Sequence, residues 1–169
     1  MRIVIQRAAG AQVSVEGRVT GAFTGPGLVI LVGVTHDDTP AIAAKLADKA
    51  YDMRLFDASH AVAAQAQLPP SSGKELSAAD LALPVLVISQ FTLYANTRKG
   101  RRPTWDAAAP GDVASPLIDA FAEHLIARGV DVQRGVFGAD MQVHLVNDGP
   151  VTFWLRADPE TGRSDEVTT

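Results

Sequence analysis

Apolar and polar positions along this chain follow two periods, and the switch between them outlines the elements. "RIVIQRA" and "QVSVEGRVTGAF" show the alternation of half-buried strands, the second predicted as a hairpin turning at Glu16-Gly17. "GPG" (residues 25–27) predicts a break, and "LVILVGV" after it is an unalternated apolar run, as in a strand buried on both faces. "TPAIAAKLADKAYDM" predicts a helix with Thr39 as N-cap and Pro40 in its first position. Its apolar stripe is Ile42, Leu46 and Met53 with Ala43 and Ala50. "RLF" predicts a short strand. "LPVLVISQFTLYA" predicts a strong strand interrupted by the polar pair Ser89-Gln90. Ser115 and Pro116 are predicted to open a second helix that buries Leu117, Ile118, Phe121 and Leu125, with Gly129 just past its end. "VDVQRGVFG", "MQVHLV" and "VTFWLRA" add further strand signals. Residues 57–80, rich in Pro, Ser and Gly, predict a surface loop, and the polar end "DPETGRSDEVTT" predicts a frayed tail.

Many strands with two principal, separated helices predict an α+β fold around a mainly antiparallel sheet or open barrel. The order lacks the βαβ alternation of a dinucleotide-binding fold, and neither glycine-rich phosphate loop motif occurs. One domain is expected over residues 1–156, with 157–169 as a polar C-terminal tail. Between the last two strand signals stands "NDGP". Proline cannot donate a ladder hydrogen bond, so on these residues alone Gly149-Pro150 reads as a bulge or a strand break.

Composition narrows the chemistry. With 169 residues, 47% hydrophobic and 20% charged, the chain has ordinary globular makeup. Cysteine is absent, which removes thiolate nucleophiles, disulfides and Cys-ligated zinc and fits a reducing compartment. The N-terminus has too few consecutive apolar residues for a signal peptide, and no run reaches membrane-spanning length, so a cytoplasmic protein without membrane contact is expected. A formal net charge of −4 argues against a generally basic, nucleic-acid-coating surface such as a DNA-binding protein uses. A local basic run does exist: Arg98, Lys99, Arg101 and Arg102 in "TRKGRR". Such a run is ordinarily a solvated loop; its functional reading is phosphate contact beside a site.

Conventional catalytic groups are sparse. His36, His60, His124 and His144 have no metal-ligand spacing, and neither a carboxylate pair nor a Ser-His-Asp arrangement can be read. His124 on a helix and His144 among apolar strand neighbours read as structural or surface residues. No metal and no cofactor are implied. "SQFTLYA" remains: a buried strand ending in Ser89, Gln90 and Thr92 around Phe91 gathers hydroxyls, an amide and backbone N–H groups at one sheet end. Such a cluster suits an oxygen gaining negative charge; equally, the hydroxyls can simply satisfy local backbone.

"SQFTL" at 89–93 and "NDGPVTFWL" at 147–155 resemble the two signature motifs of the D-aminoacyl-tRNA deacylases. "IQRA", "VSVEGRVTG", "GPGLVILVGV", "GRRP" and "RGVFGADMQVHLVNDGP" extend the resemblance over residues 1–156. The chain departs from the family at residues 57–79, which are longer and lack a Gly-Lys-Met-Asn-like loop. The resemblance implies a homodimeric hydrolase that frees tRNA from D-amino acids, and from glycine mischarged on alanine tRNA, so that D-residues stay out of translation. It implies a cis Gly149-Pro150 that reaches the partner subunit's site as a chirality filter, with Arg7 anchoring its loop. By the same resemblance, the Phe91 and Thr92 N–H groups hold the carbonyl oxygen while Ser89 and Gln90 position the ester. Phe137 and Met141 contact the terminal adenosine or substrate, Arg98, Lys99, Arg101 and Arg102 meet acceptor-stem phosphates, and catalysis is assisted by the RNA's own 2′-OH. Rival readings are a hydrolase using Thr92 as nucleophile, a non-catalytic tRNA-binding module and a merely structural dimeric domain.

Overall fold

The computed structural model describes residues 1–68, 74–98, 100–158 and 164–167, the last four by backbone. A long hairpin dominates it. Strand β1 (Arg2–Val15) turns at Glu16 and Gly17, whose φ values of 50° and 76° are left-handed, into β2 (Arg18–Gly33). Two positive φ values in a two-residue loop match the right-handed twist of the flanking strands, which is why a glycine serves there.

Helix α1 (Pro40–Asp52) follows, then β3 (Arg54–Phe56), α2 (Ala58–Ala64), β4 (Leu76–Ser77) and β5 (Val85–Ser89). A 3-10 turn (Phe91–Tyr94), helix α3 (Gly111–Ala127), β6 (Val132–Arg134), β7 (Met141–Ala157) and β8 (Ser164–Val167) complete the described elements. The six-stranded sheet runs β6-β5-β2-β1-β7-β8. The β1/β2, β1/β7 and β7/β8 pairs are antiparallel, whereas β2/β5 and β5/β6 are parallel. The fold is thus α+β with a mixed sheet.

Helices α1 and α3 bury Leu46, Phe121 and Leu125 against Ile3, Ile5, Leu28 and Ile30 on one sheet face. The other face holds Val13, Phe23, Val29, Leu86 and Ile88, all strand residues. They are enclosed because the hairpin curls back toward β6. A Cβ on Gly21 would lie 2.7 Å from the Arg134 carbonyl, so glycine permits that approach. The sheet curls without closing. Residues 28–32 alternate between the two clusters, as the unalternated apolar run predicts for a strand buried on both faces.

Several local expectations are corrected. Residues 25–27 do not break the chain: β2 runs through them, with a register shift opposite residues 8–10 and Gly25 at φ 76°. Helix α3 starts at Gly111, not at Ser115, because the Pro110 carbonyl accepts from Val113 and Ala114 N–H and Ala114 is buried; Pro116 lies inside the helix. The 57–80 segment is not all loop. Asp57 caps α2, its carboxylate accepting from Ser59 N–H at 2.8 Å, and Leu76–Ser77 pairs with β3. Residues 69–73 of that loop lie outside the described residues. The tail expected to fray carries β8, paired with the end of β7. Finally, "MQVHLV" and "VTFWLRA" are one strand, not two.

That last correction matters most. Gln6 pairs with Thr152 and Ala8 with Asn147, so residues 148–151 stand opposite Arg7 alone. A four-for-one mismatch forces β7 out of the sheet as a large bulge. Gly149 and Pro150 are exposed on it, and the peptide bond between them is cis.

Candidate active site

Two neighbouring hollows meet at the end of β5. One of about 330 Å³ is lined by Ser89, Gln90, Phe91, Trp105, Ile118 and Phe137, among others. The second, about 260 Å³, shares Ser89, Gln90 and Phe91 and adds Asp140, Met141 and Val143. The predicted residues Ser89, Gln90, Phe91, Phe137 and Met141 are therefore brought together. Thr92 adjoins them in the 3-10 turn.

The strand predicted through residue 95 stops at Ser89 because the chain turns there. Gln90 N–H donates to the Val32 carbonyl at 2.7 Å, and then Leu93 N–H donates to Gln90 and Ala95 N–H to Thr92. The first amides of a helical turn have no acceptor within it, which leaves the Phe91 and Thr92 N–H groups without a partner inside the turn, beside the hollows that Phe91 lines. Gln90 Nε2 donates to Thr92 Oγ1 at 2.5 Å. Arg2 straps the turn from behind: its guanidinium donates to the Leu93 carbonyl at 2.7 Å and lies 4.4 Å from the Tyr94 ring centre. Burial raises the Tyr94 phenol well above its ordinary value, which keeps it neutral. Gly33 is required beneath the turn, since a Cβ there would meet Leu93 Cβ at 2.9 Å and the Gln90 carbonyl at 3.0 Å.

Sequence reasoning missed Trp105. Its ring meets the exposed Phe91 ring edge-on at 5.1 Å and walls the larger hollow. Its position directly after "GRRPT" was the available signal. The loop carrying Arg98, Arg101 and Arg102 is closed by paired hydrogen bonds between Asn96 and Thr104, and all three arginines are exposed. Lys99 lies outside the described residues. His124 is structural, bonded to Asp48 between α3 and α1 at 2.8 Å.

Arg7, Gly149 and Pro150 sit elsewhere. Arg7 Nε donates to the Asp148 carbonyl at 2.8 Å and its guanidinium also reaches the Leu55 carbonyl. The Asn147 side-chain amide donates to Arg7 and Val151 carbonyls, both at 3.1 Å, across the neck of the bulge. Strand register gives the separation from the turn. Ser89 is level with Val32, Ile3 and Leu155 across the sheet. The bulge, opposite Arg7, is then four ladder positions along and three strands over, which at about 3.3 Å per residue and 4.8 Å per strand is roughly 20 Å. Among the described residues, no three His, Asp or Glu side chains are placed to hold a metal ion, and no helix is long and apolar enough to cross a membrane.

Fold and site can now be set beside known proteins. The family described as D-Tyr-tRNA(Tyr) deacylase matches residues 4–156. The chain belongs to that family. A D-aminoacyl-tRNA deacylase of Cutibacterium acnes is 53% identical over 158 residues, 94% of this chain and 98% of the relative. One from Kineococcus radiotolerans is 54% identical over 157 residues, covering 93% and 100%. Among solved structures, a c-Myc DNA Unwinding Element Binding Protein superposes with a TM-score of 0.78 at 32% identity, over 94% and 99% of the two chains. A probable eukaryotic D-amino acid tRNA deacylase, 16% identical over 98% of each chain with a TM-score of 0.71, shares the fold. This deacylase is a hydrolase, and the match over residues 4–156 includes both places just described, the turn after β5 and the bulge in β7.

Proposed function

We propose that this deacylase hydrolyses the ester linking a D-amino acid to the 3′-terminal adenosine of tRNA, and also accepts glycine, including glycine mischarged on alanine tRNA. The deacylase domain is residues 1–156, with 157–169 as a polar extension, and the enzyme works in the cytoplasm on aminoacyl-tRNA without DNA or membrane partners. In this reading the active site is composite within a homodimer. The turn at 89–92 of one protomer faces the Gly149-Pro150 bulge of its partner.

The observation that carries the reading is the bulge. It projects four residues from the sheet, is exposed, and lies roughly 20 Å from the turn of its own chain. It cannot serve that turn, but an exposed protrusion can serve a second copy's. Filtering by chirality needs rigid groups against the α-carbon with the side chain left pointing outward, and backbone carbonyls supply this. Glycine at 149 keeps such an approach free of a β-carbon. Substrate glycine, lacking a side chain, passes the same filter.

At the turn, Phe91 and Thr92 N–H groups receive the carbonyl oxygen as it becomes an oxyanion, while Ser89 and Gln90 orient ester and ribose. Phe137 and Met141 flank the terminal adenosine, and Arg98, Lys99, Arg101 and Arg102 contact acceptor-stem phosphates. Thr92 is a poor nucleophile here. Its Oγ1 accepts from an amide N–H, which withdraws electron density instead of taking up a proton. Water activated by the substrate's own 2′-OH attacks instead, adds to the carbonyl carbon and expels the 3′-oxygen, which takes up a proton.

Incubation with D- and L-tyrosyl-tRNA tests the reading: D-tyrosine is released and L-tyrosine is retained. Thr92→Ala keeps activity within about tenfold, whereas a 2′-deoxy terminal adenosine abolishes it. Loss of activity in Thr92→Ala with normal turnover of the deoxy substrate would reverse the mechanism.

A further inference from the structure

We propose that His60 is a positioning residue for the Gly149-Pro150 bulge, acting through Asp148; this rests on the composite-site reading above. His60 is buried, 9% exposed, in a segment whose sequence reads as loop. Its ring stands edge-on to Phe56 with centroids 5.3 Å apart. Nε2 lies 2.8 Å from Asp148 Oδ2, while Nδ1 lies 3.1 Å from the Asp57 amide nitrogen and 2.8 Å from Asp57 Oδ1. The Asp148 carboxylate offers Nε2 only an acceptor, so the 2.8 Å contact is an Nε2–H donated to Asp148 Oδ2.

The geometry fixes both ends of that bond. On one side, His60 is part of the cap that starts α2, so its ring cannot swing without opening the helix start. On the other, Asp148 is the residue before Gly149, and its carboxylate and carbonyl are both held by Arg7 Nε, at 3.2 and 2.8 Å. Arg7 fixes Asp148 from β1 and His60 fixes it from α2, two directions that together leave it one position. A single-handed Asp148 can pivot about Arg7, and the following two residues, exposed and outside the ladder, pivot with it. In that way α2, which touches neither hollow, bears on the filter offered to the partner protomer.

The test compares His60→Phe, which keeps a ring against Phe56 and removes both nitrogens, with His60→Gln, whose Nε2 can take the place of the imidazole Nε2 and donate to Asp148. Full-length protein is assayed on D- and L-tyrosyl-tRNA alongside thermal melts. In His60→Phe, kcat on D-tyrosyl-tRNA falls about tenfold, equivalent to about 1.4 kcal/mol, with KM unchanged and the D-over-L ratio narrowed by the same factor. His60→Gln recovers to within about threefold of wild type. His60→Leu replaces the Phe variant if the larger ring prevents folding. A His60→Phe or His60→Leu enzyme that melts earlier but keeps wild-type kcat and D-over-L ratio overturns the positioning role and leaves the filter standing. A wild-type enzyme that hydrolyses L- as fast as D-tyrosyl-tRNA overturns the filter itself, and this role with it.

Discussion

Gly33→Ala perturbs the site without touching substrate, and the packing around Gly33 sets the size of the effect. The added Cβ would sit 2.9 Å from Leu93 Cβ and 3.0 Å from the Gln90 carbonyl, where ordinary contact begins near 3.4 Å. The turn must therefore retreat by about 0.5 Å (3.4 less 2.9). Neither contacting atom is the free end of a flexible side chain. Both belong to the turn that carries the Phe91 and Thr92 amides, and Arg2 holds that turn from the other side. Overpacking of this kind costs about 1–3 kcal/mol, which in a chain of this length lowers Tm by roughly 2–12 °C. A misplacement of 1 Å at reacting groups can cost about a hundredfold, so half of that predicts about a tenfold fall in kcat on D-tyrosyl-tRNA. Thermal melts and single-turnover deacylation on the same preparation check both numbers. A variant that melts earlier yet turns over at the wild-type rate would show that the turn does not set the geometry of the reaction.

Two further outcomes concern charge. The Asp57 carboxylate is held well below its ordinary range by hydrogen bonds from the Ser59 side chain, from His60 and from the Ser59 amide. A lowered folded-state pKa stabilises above the unfolded value near 3.9 and is lost as pH falls, so the Tm advantage of wild type over Asp57→Asn holds steady from about pH 5 to 7 and shrinks below about pH 4. An advantage unchanged down to pH 3 contradicts that cause. Replacing Arg101 and Arg102 together by alanine raises KM for tRNA and lowers its log–log salt slope by about 1–2, with kcat at saturating tRNA unchanged; an unaltered slope removes these residues from the phosphate contacts.

The sequence made legible what local chemistry decides. Thr39 and Pro40 start α1, Glu16-Gly17 turns the hairpin, and the unalternated run at 28–32 is buried on both faces, because capping, left-handed φ and apolar runs act within a few residues. What depends on neighbours was not legible. The parallel β2/β5 pairing and the passage of β2 through Gly25-Pro26-Gly27 are matters of register, which no single strand encodes. "NDGP" was readable as a bulge or a break, but its four-for-one mismatch requires knowing that Arg7 stands alone opposite it. Of the candidate site, residues 89–91, 137 and 141 line adjoining hollows and Trp105 follows a readable loop, while the contacts of Asn147 and the His60–Asp148 bond depend on long-range packing.

The composite site is tested most directly by mixing two inactive proteins. Phe91→Pro removes an N–H donor from the turn, and Gly149→Val places a side chain where a Cβ already meets Asn147 Oδ1 at 2.5 Å. If each site joins one protomer's turn to its partner's bulge, half of the randomly reassembled dimers carry one intact site of two, and the mixture recovers about one quarter of wild-type D-tyrosyl-tRNA deacylation. Sites built within single chains recover none, and a mixture as inactive as its components would contradict the account.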